Sequence, residues 1–270
     1  MNSTVENLRS SPRKASFLLL AAASALLAIG ACAQSTVSVR ADYWYPYNGD
    51  PADAKPGYAI EILKAVFEKG GGKLDYGVMP WKLAVSEAEK GGVNGVIGAL
   101  KSDTPDFVFP DEPIALSENT LFAKKGSSLT FNGLESLKGK RLGVVNGYSY
   151  SEKLDEYIKQ NQGNAQAIDE STGDNPVEQA IRKLQAGRID VFVEGKTVFW
   201  AQVAKMGLSR DDFVEVAKVS EPEPLYVSFS PKKDDAKALA AKLTAGIREL
   251  RASGELAKIL AKYSVQDWAK

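Results

Sequence analysis

Histidine is absent from the chain, and cysteine occurs once. The first absence excludes serine–histidine–aspartate and cysteine–histidine catalysis, along with histidine metal sites. The second excludes zinc–cysteine clusters and any disulfide within the chain. Any catalysis would fall to carboxylates, lysine, tyrosine or serine. Net charge is lacking too: 34 basic side chains stand against 34 acidic ones, so no basic surface argues for nucleic acid. Apolar material is ample, at 44% of 270 residues, enough for one large or two medium domains with real cores.

The amino terminus reads as an export signal. Arg9, Arg13 and Lys14 precede the apolar run 17–29, which is too short to span a membrane comfortably but has the flanks of a secretory signal. Ile29-Gly30-Ala31-Cys32 resembles the bacterial lipobox. Residues 1–31 are then a signal peptide, Cys32 is the lipidated first residue, and 32–36 form a tether. An acylated cysteine can carry more than one chain, which stable anchoring needs. The alternative is cleavage after Ala33, which yields a soluble protein beginning at Gln34. The leader is basic, so its removal leaves the chain slightly acidic.

The rest of the chain reads as alternating strands and helices. Thr36 to Arg40 alternates as a strand and runs into the aromatic loop Tyr43-Trp44-Tyr45-Pro46-Tyr47. A helix is expected over 58–69 from its apolar spacing, a strand over 74–78, and a helix from Pro80 and Trp81 to Gly91. The run 93–100 reads as a buried strand, thinned by Gly95 and Gly98 and followed by the polar turn Lys101-Ser102-Asp103-Thr104. Ligands of open α/β sheets bind outside the carboxyl ends of such strands.

The pattern then begins again: strands over 120–125, 141–145, 165–168, 189–193 and 213–219, with helices between them. Ser149 and Glu152 have capping-box spacing, which predicts a helix start able to receive an anion. Asn175-Pro176 opens another helix. The stretch 87–98 is echoed by 183–194: a helix end, a glycine, a branched apolar residue, Asn or Asp, then a buried strand. Two lobes of similar plan follow from this, lobe 1 over 37–122 and 224–270 and lobe 2 over 126–218. The segment 221–224 reads as a stiff link, 225–230 as a strand, and 234–252 as a long helix. Two crossings between the lobes, near 120–125 and 219–230, make a hinge with a cleft beside it.

The order of these elements resembles the extracytoplasmic solute-binding proteins of ABC importers, in the polar amino-acid branch with the type II periplasmic-binding fold. The motifs that carry it include Trp44-Tyr45-Pro46-Tyr47, Gly57-Tyr58-Ala59-Ile60-Glu61, Pro80-Trp81, Leu137-Lys138-Gly139-Lys140-Arg141 and Ser253-Gly254-Glu255-Leu256. The resemblance implies an α/β two-lobe protein with a ligand cleft, monomeric and without cofactor, metal or nucleic acid. It implies delivery of a small polar solute to an inner-membrane ABC permease. A sensor that presents the solute to a signalling receptor is the alternative, and a dehydratase-like enzyme using Lys101 and Glu194 is a further one.

Carried over residue by residue, the resemblance makes Trp44 and Trp81 aromatic plates, with Tyr47 beside them. Gly98, Ala99 and Lys101 become the hydrogen-bonding segment of lobe 1, and Tyr148, Ser149 and Tyr150 the carboxylate-facing helix start of lobe 2. The acid that meets an ammonium falls at Glu194 in one register, and in the other at Gly195, where it is lost. The family's arginine, which grips a carboxylate through two parallel hydrogen bonds, has no counterpart, because no arginine occurs between Lys101 and Lys140. The expectation is weak binding of common α-amino acids and better binding of an amine-bearing, aromatic or otherwise unusual metabolite.

Overall fold

The computed structural model describes residues 1–3 and 35–269. The leader's apolar run, Cys32 and both cleavage alternatives lie outside the described residues. No helix among the described residues is long and apolar enough to cross a membrane.

The first lobe starts with β1 (Thr36–Ala41), α1 (Tyr58–Phe67), β2 (Lys73–Val78), α2 (Trp81–Glu89) and β3 (Gly95–Ala99). β1 lies between β2 and β3 and runs parallel to both. The apolar positions of α1, including Ile60, Leu63 and Val66, are buried, as their helical spacing requires. Gly57 precedes that helix at φ 113, where a side-chain carbon would meet the Tyr47 carbonyl oxygen at 2.4 Å. Only glycine tolerates both constraints, and the close approach holds the aromatic loop 42–49 against α1.

A short strand that the sequence reading lacks, β4 (Ala115–Ser117), precedes β5 (Asn119–Lys124). The second lobe continues with β6 (Leu142–Val145), α3 (Glu152–Gln160), β7 (Ile168–Ser171), α4 (Pro176–Gln185), β8 (Val191–Gly195), α5 (Lys196–Lys205) and β9 (Phe213–Lys218). The chain then returns through β10 (Glu223–Phe229), α6 (Ala236–Ala252) and α7 (Glu255–Ala261).

The sheets have matching plans. Their orders are β2-β1-β3-β10-β4 and β7-β6-β8-β5-β9. In each, three parallel strands are followed by an antiparallel one that adjoins a crossing between the lobes, and then by an edge strand antiparallel to that one. β3 and β8, the strands of the internal echo, occupy the same place in their sheets.

The crossings are tighter and earlier than expected, at Ser117–Asn119 and Lys218–Glu223. They bond to each other: Val219 N–H donates to the Asn119 carbonyl at 2.9 Å, and Asn119 N–H donates to Ser220 Oγ at 3.0 Å. Lys218 and Glu118 add an ion pair at 2.9 Å. Two short, mutually bonded connections give a hinge with few free torsions.

Three local expectations are corrected. The N-cap of α3 is Ser151, not Ser149, and its side chain makes no capping bond. The Asp155 carboxylate, one turn in, instead accepts the Tyr150 N–H at 2.9 Å. The strand placed at 165–168 begins at Ile168, because Ala167 and Ile168 are still tied back to the Asn164 carbonyl in a turn. The stiff link 221–224 is half strand: Glu223 and Pro224 already pair with Ser117 and Leu116, a proline being tolerated near a strand's start.

Candidate functional site

The cleft lies at the carboxyl ends of the parallel strands, where each sheet leaves a loop with free side chains. From lobe 1, the loop after β1 supplies Asp42 and Trp44. The turn after β3 supplies Leu100 and Asp103, and the start of α2 supplies Trp81. From lobe 2, the loop after β6 supplies Tyr148 and Ser149, while Ser117 and Asn119 come from the first crossing. The lobes are closed on one another, and the cavity between them is about 40 Å³, on the scale of a water molecule.

Trp44 is the centre of the closure. Its indole N–H donates to Glu194 Oε1 in the other lobe at 2.8 Å. The ring lies 5.9 Å from that of Tyr148, nearly edge-on at 73°. On one side it meets Gly98, where a side-chain carbon would sit 3.5 Å from the ring, and on the other Gly195, also at 3.5 Å. Gly98 has φ +90, a conformation glycine accepts without strain. The glycines of β3 and β8 thus leave one indole in contact with both sheets.

Two more contacts bridge the lobes. The Tyr148 hydroxyl donates to Asp42 Oδ2. Lys205 on α5 donates to the Tyr43 hydroxyl and lies over that ring, 4.3 Å from its centroid.

The electrostatics of the cleft are those of buried acids. Desolvation pushes the Asp42 carboxyl up to about 6, against the lowering effect of the Tyr148 hydroxyl. Desolvation also pushes Glu194 up to about 8, and the bonds from Trp44 and the Gly195 N–H only partly offset it. Burial raises Asp103 as well, although its carboxylate accepts the Leu100 N–H at 2.9 Å. Burial holds the Tyr148 phenol well above its ordinary value.

Of the residues expected at the site, Trp44, Trp81, Gly98, Tyr148 and Ser149 line the cleft. Glu194 lies against the Trp44 indole N–H, and Gly195 against the Trp44 ring, so both registers of that segment meet the same side chain. Tyr47 packs behind Trp44 at 4.5 Å and donates to the Leu116 carbonyl. Ala99 is buried in β3 opposite Tyr226. Tyr150 is buried, with its hydroxyl accepting the Val145 N–H and its carbonyl accepting from Asn119 Nδ2. Lys101 is exposed and lies apart from the lining residues, its ammonium 5.1 Å from the Tyr226 ring centroid and 5.9 Å from that of Phe109.

Asp42, Asp103, Ser117, Asn119 and Glu223 line the cleft too, without standing out in the sequence. Asp42 directly follows β1 and Asp103 lies in the turn after β3, so the rule that ligands meet strand carboxyl ends could have found both. No group of cysteine, aspartate and glutamate among the described residues is placed to hold a metal.

The sequence profile of the bacterial extracellular solute-binding proteins, family 3, matches residues 36–266. The chain belongs to that family. It is 25% identical over 250 residues to the probable amino-acid-binding protein YxeM of Bacillus subtilis (strain 168), covering 90% of this chain and 85% of that one. Among solved structures, an ancestral arginine-binding protein bound to arginine is similar at a TM-score of 0.68 and 21% identity, covering 85% of this chain and 98% of that one. A Streptococcus mutans structure concerned with glutathione import through GshT and the cystine importer TcyBC gives 0.70 and 20% identity, covering 85% and 95%. A histidine kinase sensor domain gives 0.68 and 20% identity, covering 85% and 96%. At these identities the likeness is one of fold, the type II periplasmic-binding fold.

Proposed function

We propose that this chain captures a small polar solute between its lobes, outside the cytoplasmic membrane, and passes it to a membrane ABC permease. The observation that carries the reading is Trp44, held in contact with both sheets and hydrogen-bonded across the cleft to Glu194. A side chain shared in this way lets the lobes meet only in one arrangement, and a solute seated beside it is enclosed by both. Trp44, Trp81, Gly98, Tyr148 and Ser149 form the contact surface, with Asp42, Asp103 and Glu223 as its charged members. The chain performs no reaction in this account.

Native mass spectrometry of the protein purified without denaturant from its own host tests the reading. A small molecule released on unfolding is expected. Its absence, together with no thermal shift across a metabolite library, would contradict solute capture.

Cys32 supplies the anchor in this proposal, which keeps the protein beside its permease. Cys32→Ser should move it from the membrane fraction to the soluble periplasm. Unchanged fractionation with a mature terminus at Gln34 would instead assign the soluble alternative.

The fold shared with a histidine kinase sensor domain supports a second acceptor, a signalling receptor that reads the closed form. Deleting the gene separates the two. Loss of solute uptake fits the permease, and uptake retained with a lost transcriptional response fits the receptor.

A further inference from the structure

The carboxylates that line the cleft do so without a cationic side chain beside them in its wall. Elsewhere, acids such as Asp75, Asp169, Glu112 and Asp267 lie within ion-pair distance of a lysine or arginine. Among the described residues, Asp42, Asp103, Asp155 and Glu223 have no such partner. Closure brings Asp42, Asp103 and Glu223 into one cavity wall, with Asp155 behind it. Asp42 and Asp103 come from lobe 1, Glu223 from the returning crossing and Asp155 from lobe 2. Asp103 and Glu223 lie close enough to Asp155 to add to the effect of burial in raising its carboxyl. Among the described residues no lysine or arginine lines this cavity; Lys82 lines the neighbouring one, behind Asp42 and Trp81.

Like charges brought together in a desolvated cleft oppose its closure unless something neutralises them. The other lining groups suit a cation as well. Trp44, Trp81 and Tyr148 present aromatic rings, whose faces attract ammonium and guanidinium groups. Asn48 Oδ1, a fully buried acceptor next to the lining residue Gly98, has no donor, so the group beside this part of the wall is an acceptor and not a donor. An anion has no comparable place. The amino terminus of α3, the natural anion seat in lobe 2, is taken by the chain's own Asp155.

We infer that the solute is a cationic amine or guanidine without a carboxylate, held by Asp42 and Asp103 between the rings of Trp44, Trp81 and Tyr148. The inference rests on the proposal of solute capture and names its ligand class. An ordinary α-amino acid would carry its carboxylate into a site that offers two or more carboxylates and no cation. The same amine lacking that group meets only complementary charge.

Matched pairs isolate the carboxylate. Calorimetry on the protein as processed by a bacterial host would compare agmatine with arginine, and cadaverine with lysine, each pair differing by that one group. At least one amine should bind, and at least tenfold more tightly than its parent amino acid. Asp103→Asn should weaken that amine about tenfold. Glu223→Gln, at an exposed rim position, should weaken it less while leaving thermal unfolding unchanged, which guards against a variant that fails to fold. Tighter binding of arginine or lysine than of its amine overturns the inference and leaves solute capture standing. Binding by none of the four also overturns it, and a metabolite-library screen then decides whether solute capture falls as well.

Discussion

Phe122, Phe192, Phe199 and Phe213 form an aromatic group inside the second lobe, and Trp44, Tyr47 and Tyr148 form another between the lobes. In the first, the rings of Phe122 and Phe199 stack at 3.7 Å and 2°, with Phe213 edge-on at 5.4 Å. All four side chains are buried and none carries a polar atom. In the second, every member bears a polar atom, and each such atom is bonded: Trp44 to Glu194, Tyr148 to Asp42, Tyr47 to the Leu116 carbonyl. Burial of phenylalanine contributes stability through area and ring packing and needs no hydrogen-bond partner. Burial of tyrosine and tryptophan demands partners, and here two of those partners lie in the opposite lobe. The first group holds a lobe together, and the second registers one lobe against the other.

The comparison can be broken at the first group. Phe199→Ala removes the stacked ring from a site with no access to water, and a loss of roughly 3–5 kcal/mol of stability is expected, read from denaturant unfolding. Solute affinity of the folded fraction should stay within about twofold. A large affinity loss with little destabilisation would erase the distinction drawn between the two groups.

A second test uses pH. Glu194 has an ordinary value of 4.5 and is pushed up to about 8 in the folded protein. Between those values the folded chain holds a proton that the unfolded chain has lost, so stability falls as pH rises through that window. The effect is of order a few kcal/mol, at about 1.4 per unit of pKa. Glu194→Gln keeps an oxygen for the Trp44 and Gly195 donors and cannot ionise. Its melting temperature should therefore fall less than that of the wild type between pH 5 and 8. An unchanged slope would assign the titration to another group.

Smaller effects sharpen the role of the second group. Trp44→Ala should weaken solute binding by at least the roughly 0.5–1.5 kcal/mol of an aromatic contact, measured by calorimetry. Tyr148→Phe keeps the ring and removes one bond to Asp42, so about 1 kcal/mol or less is expected in binding, with stability nearly constant. Melting that collapses in either variant would move that residue into the same class as Phe199.

Much of the fold was legible in the sequence because its elements are short and strongly periodic. The apolar spacing of Ile60, Leu63 and Phe67 located α1, and Asn175-Pro176 located the start of α4. The echo of 87–98 in 183–194 anticipated two sheets with the same plan. What failed was local competition. Ser149 and Glu152 have the spacing of a cap, yet Asp155 reaches back to the Tyr150 N–H and the helix starts later. β4 is three residues long, among prolines, and exists because β10 pairs with it; no short-range pattern announces such a strand.

The site was legible in part. Trp44 and Tyr148 stand in loops after strands, and Trp81 opens the helix after β2, where position alone nominates them. Asp42 and Asp103 are ordinary acids in the sequence, and their weight comes from burial and from a cavity wall without a lysine or arginine, which only tertiary packing reveals. Lys101 lies only two residues from Asp103, but its long side chain turns outward over Tyr226 and Phe109. A long cationic chain keeps its charge in water when an apolar surface is available for its stem.

The central claim is that a solute is enclosed by both lobes around Trp44. Hydrogen–deuterium exchange, measured with and without the bound solute, tests it most directly. Slowed exchange is expected at 42–48 and 98–103 in lobe 1 and, together with these, at 147–151 and 194–196 in lobe 2. Protection confined to one lobe, or centred away from these segments, would contradict enclosure between the lobes.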